Sequence, residues 1–302
     1  MHHTVRLSLL IALLLLLLSP GGSAQATTCR VQVGDITRIE PARTYDPFGD
    51  ALPEYHRFSV RFLGGLPCRI VVGIDQGRNG DRVMVQGRDR LEYQLYKDAA
   101  LTQPVTDLFG SENGLFATVL DAREDTAEFQ FFSRVTPGQM AGQGTYTDQV
   151  RISVYQSFLG ILLGPIAVLP VSVRTRVKPV VQASVVLDGV KRDLRGMAGT
   201  LDLGDLTQRG SGQFDLEVLG NGAYDLALES ENRGQLIAPG VATGIPYQLT
   251  VDGYMVNPGS KAVLRLDGLG LQRHQVLVSA GGVERALAGT YRDNLILTVT
   301  AR

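Results

Sequence analysis

"GTYTDQVRISVY" at residues 144–155 decides the fold, because a close copy of it, "GTYRDNLILTVT", occupies residues 289–300. Both segments open with Gly-Thr-Tyr-x-Asp and continue with apolar and polar residues in alternation. Such period-two alternation predicts a strand with one buried face. The first copy runs on into the apolar stretch "QSFLGILLGPIAVLPVSVRTRV" (156–177), whereas two residues follow the second copy in the sequence. The repeat therefore predicts two related β units that differ after this strand.

The same alternation recurs elsewhere in the chain, for example in "FDLEVLG" (214–220) and "YDLALES" (224–230). Glycine-rich breaks separate these segments at the spacing of turns, and no stretch sustains the pattern of an amphipathic helix. A second repeat links "LEYQLYKD" (91–98) to "IPYQLTVDG" (245–253), each ahead of its Gly-Thr-Tyr segment. The sequence predicts an all-β chain of two tandem sandwiches.

The boundary between the two units is predicted near "RVKPVVQ" (176–182), where Pro179 interrupts the strand pattern. Domain one is then expected at residues 27–177 and domain two at residues 178–302.

Residues 1–26 have the features of a secretory signal peptide. Arg6 precedes the apolar run "LSLLIALLLLLL" (7–18), and the small-x-small sequence Ala24-Gln25-Ala26 follows. The alternative is a membrane anchor, but the run is shorter than the ~20 residues that a spanning helix needs. No later segment suggests a membrane span, and a formal net charge of −1 gives no reason to expect nucleic-acid binding. An exported protein is predicted.

Two cysteines, Cys29 and Cys68, are the only ones in the chain. An even pair in an exported protein predicts a disulfide, although two free buried thiols are the alternative. Closing a loop of this length would contribute about 4 kcal/mol in the chain-entropy model.

Residues suited to catalysis are few. His56 and His274 are far apart in the sequence, and no motif of a metalloprotease, nucleophile elbow or phosphate loop occurs. The acidic segment "DQGRNGD" (75–81) has some character of a calcium loop, but a hairpin turn is the simpler reading. Tyr146 and Tyr291 recur where a strand begins, and such tyrosines commonly hydrogen bond to the backbone upstream. The sequence predicts no enzyme, no cofactor and no metal site.

The order of the motifs in domain one resembles that of the spore coat protein U domain. The resemblance rests on Cys29 and Cys68, then "RVMVQG" (82–87), "LEYQLYKD", and "TPGQMAGQGTYTDQVRISV" (136–154). It spans nearly all of domain one. Phe109-Gly110 stands where Trp-Gly is frequent in the family, and "FFSRVTPG" (131–138) also departs from the pattern.

Domain two resembles the family more weakly. It keeps "GTLDLGDL" (199–206), "IPYQL" (245–249) and "AGTYRDNL" (288–295) but has no cysteine pair.

Members of this family are mostly secreted subunits of archaic chaperone–usher pili, and the resemblance implies their mode of assembly. Pilin domains of this kind are immunoglobulin-like sandwiches that lack the last strand. A periplasmic chaperone fills the groove first, and the adjacent pilin subunit then donates a strand at the outer-membrane usher. In domain two, Leu295, Leu297 and Val299 would form the last strand, beside the donor groove. In domain one, "VLPVSVRTRV" (168–177) could supply the missing strand internally.

The N-terminus expected after cleavage indicates where this subunit would lie in a fibre. Only Thr27 and Thr28 separate the expected cleavage site from Cys29, which leaves no room for a donor segment. A subunit that receives a strand and donates none is expected at the end of a fibre. The resemblance thus implies a two-domain tip adhesin on the cell surface. The alternative is a non-adhesive structural subunit of a fibre or coat, and an exported enzyme comes third.

The binding segment of such an adhesin is predicted in the loop "SFLGILLGPIA" (157–167), which contains no charge. The candidate residues for surface binding are Phe158, Leu159, Ile161, Leu162, Leu163 and Ile166. Exposed apolar patches of this size usually mark interaction sites. The alternative is that the segment folds into the core or packs on domain two.

Overall fold

The computed structural model describes residues 29–38, 44–106, 115–196 and 199–302. The predicted signal peptide and Phe109-Gly110 lie outside these residues. The strands up to residue 177 are β1 (Arg30–Val33), β2 (Thr37–Arg38), β3 (Thr44–Tyr45), β4 (Glu54–Gly64), β5 (Cys68–Ile74), β6 (Val83–Gln86), β7 (Asp89–Tyr96), β8 (Phe116–Leu120), β9 (Thr126–Val135), β10 (Gly144–Phe158) and β11 (Ile161–Val177).

The strands after residue 177 are β12 (Val181–Leu187), β13 (Val190–Asp193), β14 (Ser211–Asn221), β15 (Tyr224–Ser230), β16 (Gln235–Leu236), β17 (Ile245–Val251), β18 (Tyr254–Val256), β19 (Ala262–Leu266), β20 (Leu269–Ala280) and β21 (Leu295–Ala301). A single 3-10 turn at Leu206–Gln208 is the helical element of the described residues. No helix in these residues is long and apolar enough to cross a membrane.

Strands β1 to β11 form a first sandwich. One layer has the order β1-β4-β9-β7, and the other contains β8-β5-β10-β11-β3, with β6 joining the two between β7 and β10. The alternating residues of these strands meet in one buried cluster that includes Phe58, Phe131, Leu95, Tyr146 and Ile152.

Strands β12 to β21 form a second sandwich with its own buried cluster. One layer has the order β13-β12-β14-β20-β17, and the other is the short sheet β19-β15-β21. Leu216, Leu226, Leu249 and Val276 are buried between them because each faces inward on its strand. The prediction of an all-β chain of tandem sandwiches is confirmed.

The disulfide between Cys29 and Cys68 is also confirmed, with the two Cα atoms 5.9 Å apart. Both residues are buried, and the bond joins the segment before β1 to the first residue of β5. The cross-link therefore ties the segment that enters β1, in one layer of the first sandwich, to β5 in the other layer.

Candidate functional site

β10 and β11 form a long antiparallel hairpin whose pairing runs from Gly144 with Val177 to Phe158 with Ile161. Leu159 and Gly160 connect them, with φ angles of 49° and 81°. Positive φ at both central residues is typical of the tight turn that suits the twist of a hairpin.

The prediction of a loop at residues 157–167 is therefore wrong in its secondary structure. Glycine and proline residues are typical of a loop, but the two strands satisfy each other's backbone groups across the hairpin. The pairing shifts register twice near the tip, so that Tyr155 pairs with Pro165 and Ser157 pairs with Leu162. Residues 157–167, called the hairpin tip below, are a projecting part of the sheet.

The side chains of the hairpin tip are in solvent. Exposed fractions range from 39% for Leu162 and Ile166 to 86% for Leu159, and Phe158, Ile161 and Leu163 lie between these values. The tip is thus an exposed apolar surface with no charged residue of its own. In the structure these side chains are not packed into the core.

A second apolar segment lies at the same end of the first sandwich and was not predicted. β5 starts at Cys68 and pairs with β10 up to Arg69 with Ser157, so the loop before β5 is at the tip end. Leu63, near the end of β4, and Leu66 of that loop are exposed. The sequence signal was weak, because "LGGLP" (63–67) is too short to show a period.

The inward face of β10 is completely covered. Tyr146, Val150, Ile152 and Val154 have no exposed surface. β11 pairs along the whole length of β10 and contributes inward residues, which are Val171, Val173 and Val177. The last strand of the first sandwich is thus supplied by the same chain.

β21 occupies the place of β10 in the second sandwich but has a different environment. Within the described residues β21 pairs only with β15, so its other edge carries no strand. Leu295, Leu297 and Val299 face the core but are only half-buried, unlike their counterparts on β10. The second sandwich therefore presents a sheet edge with partly uncovered apolar residues beside it.

The unpaired edge of β21 also explains why β21 begins at Leu295 and does not include its Gly-Thr-Tyr segment. In the first sandwich the Gly-Thr-Tyr segment belongs to β10 because β11 pairs with it from Gly144 onward. In the second sandwich the corresponding residues before Leu295 form only an isolated bridge between Ile237 and Arg292.

The two repeated tyrosines make the predicted backbone contact. The Tyr146 hydroxyl donates to the carbonyl of Gly142 at 2.9 Å, and the Tyr291 hydroxyl donates to the carbonyl of Leu287 at 2.9 Å. Each bond reaches four residues back and fixes the chain where it enters the strand. Their structural role is confirmed.

Within each sandwich the Tyr-Gln-Leu motif contacts the Gly-Thr-Tyr-x-Asp motif, and the sequence did not predict this contact. Tyr93 donates to Asp148 at 2.8 Å, and Tyr247 donates to Asp293 at 2.7 Å. The tyrosine of each Tyr-Gln-Leu motif therefore binds the aspartate of the following Gly-Thr-Tyr-x-Asp motif. Burial, followed by the bond to the Asp148 carboxylate, raises the pKa of Tyr93 well above its ordinary value of 10.0.

We expect Tyr93→Phe to change the stability of the first sandwich at alkaline pH. Unfolded tyrosine loses its proton near pH 10, whereas Tyr93 keeps it to higher pH in the fold, so its contribution is present below pH ~10 and lost above it. Wild type should lose stability as the pH rises past that value, and the variant should lose less. At neutral pH the variant should cost about 1.5–3 kcal/mol, since a hydrogen bond to a charged group disappears.

Chemical denaturation from pH 7 to 11 measures this difference. Tyr55→Phe is the control, because the Tyr55 hydroxyl binds Gln130 in an exposed position. An alkaline slope that is the same in wild type and in Tyr93→Phe would contradict the expectation.

The remaining chemical candidates lie in structural contacts. His56 is buried with Nε2 2.9 Å from the Ser133 hydroxyl. His274 lies between Tyr224 (Nε2 to hydroxyl, 2.5 Å) and Asp252 (Nδ1 to carboxylate, 2.7 Å). Tyr224 is buried on β15 and His274 is on β20. Their hydrogen bond therefore connects the two layers of the second sandwich.

The segment at residues 75–81 forms a turn against β10. Asp75 binds Arg151, with 2.9 Å between Oδ2 and Nε, and Asn79 donates its amide to the carbonyls of Val83 and Thr147. No group of three or more metal-ligating side chains occurs among the described residues.

No curated protein matches the chain. Among solved structures, it resembles the CsuC–CsuE complex of a chaperone and a tip adhesion subunit from the archaic chaperone–usher Csu pili of Acinetobacter baumannii (12% identity, TM-score 0.42, 78% of this chain and 84% of that one). It also resembles CfaE, the adhesive subunit of CFA/I fimbria of enterotoxigenic Escherichia coli (9%, 0.38, 86% and 96%). A third is the CupB6 tip adhesin from Pseudomonas aeruginosa (9%, 0.35, 91% and 95%).

The family model of the Spore Coat Protein U domain matches residues 65–153. The match runs from just before β5 to within β10, and it includes the Tyr93 and Asp148 pair. The resemblance noted in the sequence is confirmed for this span.

Proposed function

We propose that this protein is an exported adhesin at the tip of a chaperone–usher pilus, which acts by binding and not by catalysis. The first sandwich binds a surface through the hairpin tip, and the second sandwich joins the fibre by accepting a strand from the adjacent pilin subunit. The observation that carries the proposal is the difference between β10, which is covered by β11, and β21, whose outer edge is open.

The open edge of β21 suits strand addition. An incoming strand gains backbone hydrogen bonds along the edge, and its alternate side chains cover the half-buried face of Leu295, Leu297 and Val299. The match to the Spore Coat Protein U domain supports the same partners for this chain, namely a periplasmic chaperone, an outer-membrane usher and a neighbouring subunit. The protein would reach the cell surface through the periplasm.

The hairpin of the first sandwich gives a template for the incoming strand. On β11, Val173 pairs with Asp148, Val171 with Val150 and Leu169 with Ile152. The repeat equates these β10 residues with Asp293, Leu295 and Leu297. An antiparallel donor with apolar side chains at every second position would fill the second sandwich in the same way.

The alternative function is a structural subunit that polymerises without adhering. The exposed hairpin tip favours the adhesin, because a purely structural subunit gains nothing from an uncharged projection of leucine and isoleucine in water. A ligand of apolar character fits this surface.

We expect the double variant Leu162→Ser and Leu163→Ser to lose adhesion to an apolar surface while it stays folded. Both side chains are already exposed, by 39% and 43%, so the melting temperature should hardly change. Adsorption of the purified protein to alkyl-terminated and hydroxyl-terminated gold, followed by quartz crystal microbalance, measures the binding.

Leu269→Ser together with Leu271→Ser is the matched control, because these two exposed leucines lie on β20 of the second sandwich. This control should bind the alkyl surface as wild type does. A hairpin-tip variant that binds normally would leave the structural subunit as the better function. A variant with a much lower melting temperature would show that the tip belongs to the core.

A further inference from the structure

Both ends of the β10–β11 hairpin meet the second sandwich at one residue, Asn221. Residues 139–143 lead into β10, and residues 178–180 leave β11. Asn221 is the last residue of β14 and is only 2% exposed. It therefore lies where the base of the hairpin contacts the second sandwich.

The side-chain amide of Asn221 bonds to the backbone of both segments. Its Nδ2 donates to the carbonyl of Ala141 at 3.1 Å and to the carbonyl of Lys178 at 2.9 Å. Its Oδ1 accepts from the N–H of Val180 at 2.8 Å. Both amide hydrogens and the amide oxygen are thus used.

The main chain of Asn221 adds two further bonds. Its carbonyl accepts from the N–H of Gln143 at 3.1 Å, and its own N–H donates to the carbonyl of Val180 at 3.3 Å. Asn221 is thus hydrogen bonded to the segment of the first sandwich that enters the hairpin and to the linker 178–180 that leaves it. A buried, fully satisfied amide is costly to disturb, because each orphaned partner loses its bond away from water.

The segments that Asn221 holds are themselves fixed to the first sandwich. The Tyr146 hydroxyl binds the carbonyl of Gly142, in the middle of the loop before β10. The N–H of Lys178 donates to the carbonyl of Tyr45 at 3.1 Å, and Lys178 Nζ lies 2.7 Å from Asp46 Oδ2. Movement of Asn221 would therefore require movement of the first sandwich.

We propose that Asn221 is a positioning residue that clamps the two sandwiches into one rigid body by holding both ends of the β10–β11 hairpin. A pull on the hairpin tip then passes along β10 and β11 directly to the second sandwich. The clamp does not depend on what the tip binds, so it stands or falls separately from the proposed function.

The chemistry of the position requires asparagine. Aspartate would keep the acceptor for Val180 but would place a carboxylate against the carbonyls of Ala141 and Lys178, which need a donor. Alanine would remove all three side-chain bonds. Without the clamp, relative motion is the ordinary behaviour of two domains joined by a small polar contact.

Distance measurement between spin labels in the full chain tests the clamp. Labels on Arg123→Cys in the first sandwich and Lys261→Cys in the second use exposed positions, and the two native cysteines are already bonded to each other. Double electron–electron resonance should give one narrow distance distribution for wild type. Asn221→Ala should broaden it roughly twofold or more, as expected for domains that move freely.

Asn257→Ala is the matched control, because the Asn257 side chain accepts a backbone bond from Gly259 within its own turn. Its distribution should equal that of wild type. Asn221→Asp retains the size of the side chain and serves where the alanine variant does not fold. A distribution of unchanged width in a folded Asn221 variant would overturn the clamp. So would unfolding of both variants, since a residue that only joins the sandwiches leaves each of them folded.

Discussion

Residues 27–177 expressed alone should give a monomer with one cooperative melting transition, whereas residues 178–302 expressed alone should aggregate or melt without cooperativity. The two halves share motifs, yet we expect opposite behaviour from them. The difference comes from the strand beside each Gly-Thr-Tyr segment.

In the first half, β11 satisfies the outer edge of β10 and buries Val171 and Val173 in the core. In the second half, the outer edge of β21 offers unpaired backbone groups, and Leu295, Leu297 and Val299 remain half-buried. An unpaired edge next to apolar surface is a site of aggregation. A sandwich that lacks one strand also buries less apolar area against the same loss of chain entropy.

A peptide with the sequence of residues 167–177 is a defined probe for the groove, because it is the strand that completes the first sandwich. Added to residues 178–302, it should raise the melting temperature and reduce aggregation, as any ligand that binds only the folded state does. A peptide with its apolar alternation scrambled is the control. Residues 178–302 that are monomeric and melt cooperatively without a peptide would contradict the open groove.

Alternation and repeats predicted much of this architecture. The all-β fold and the contacts of Tyr146 and Tyr291 follow from patterns that are local in sequence, and the Cys29 and Cys68 bond follows from an even cysteine pair in a chain predicted to be exported. Each of these depends on a residue type with a narrow range of structural uses. The Tyr93 and Asp148 pair could not be predicted from the repeats, because a repeat shows that two motifs recur and not that they are in contact.

Features that depend on pairing register could not be read from the sequence. The hairpin tip has the glycine and proline content of a loop, and only its pairing with β5 and across the turn makes it part of a sheet. The clamp at Asn221 depends on where "GNG" (220–222) meets two segments of the other sandwich. No local pattern encodes a contact between residues 80 positions apart.

Equivalent truncations in the two sandwiches should have different costs. Ile152 and Leu297 hold the same position in the two copies of the repeat, but Ile152 is completely buried and Leu297 is half-buried. Ile152→Ala should lower the free energy of unfolding of the first sandwich by about 2–5 kcal/mol, since it leaves a cavity under β11. Leu297→Ala should cost clearly less in the free chain, because part of the removed side chain was already in contact with water.

The difference between the two costs should shrink when the groove is filled. A strand laid along β21 would bury Leu297 as β11 buries Ile152, so Leu297→Ala should then weaken binding of the peptide of residues 167–177. Native-state hydrogen exchange on the full chain reports the stability of each sandwich separately, and peptide titration reports the binding. Thr298→Ala, on the outward face of β21, is the control and should change neither. Equal costs for Ile152→Ala and Leu297→Ala in the free chain would mean that β21 is as well covered as β10, and the second sandwich would then have no groove to offer a partner.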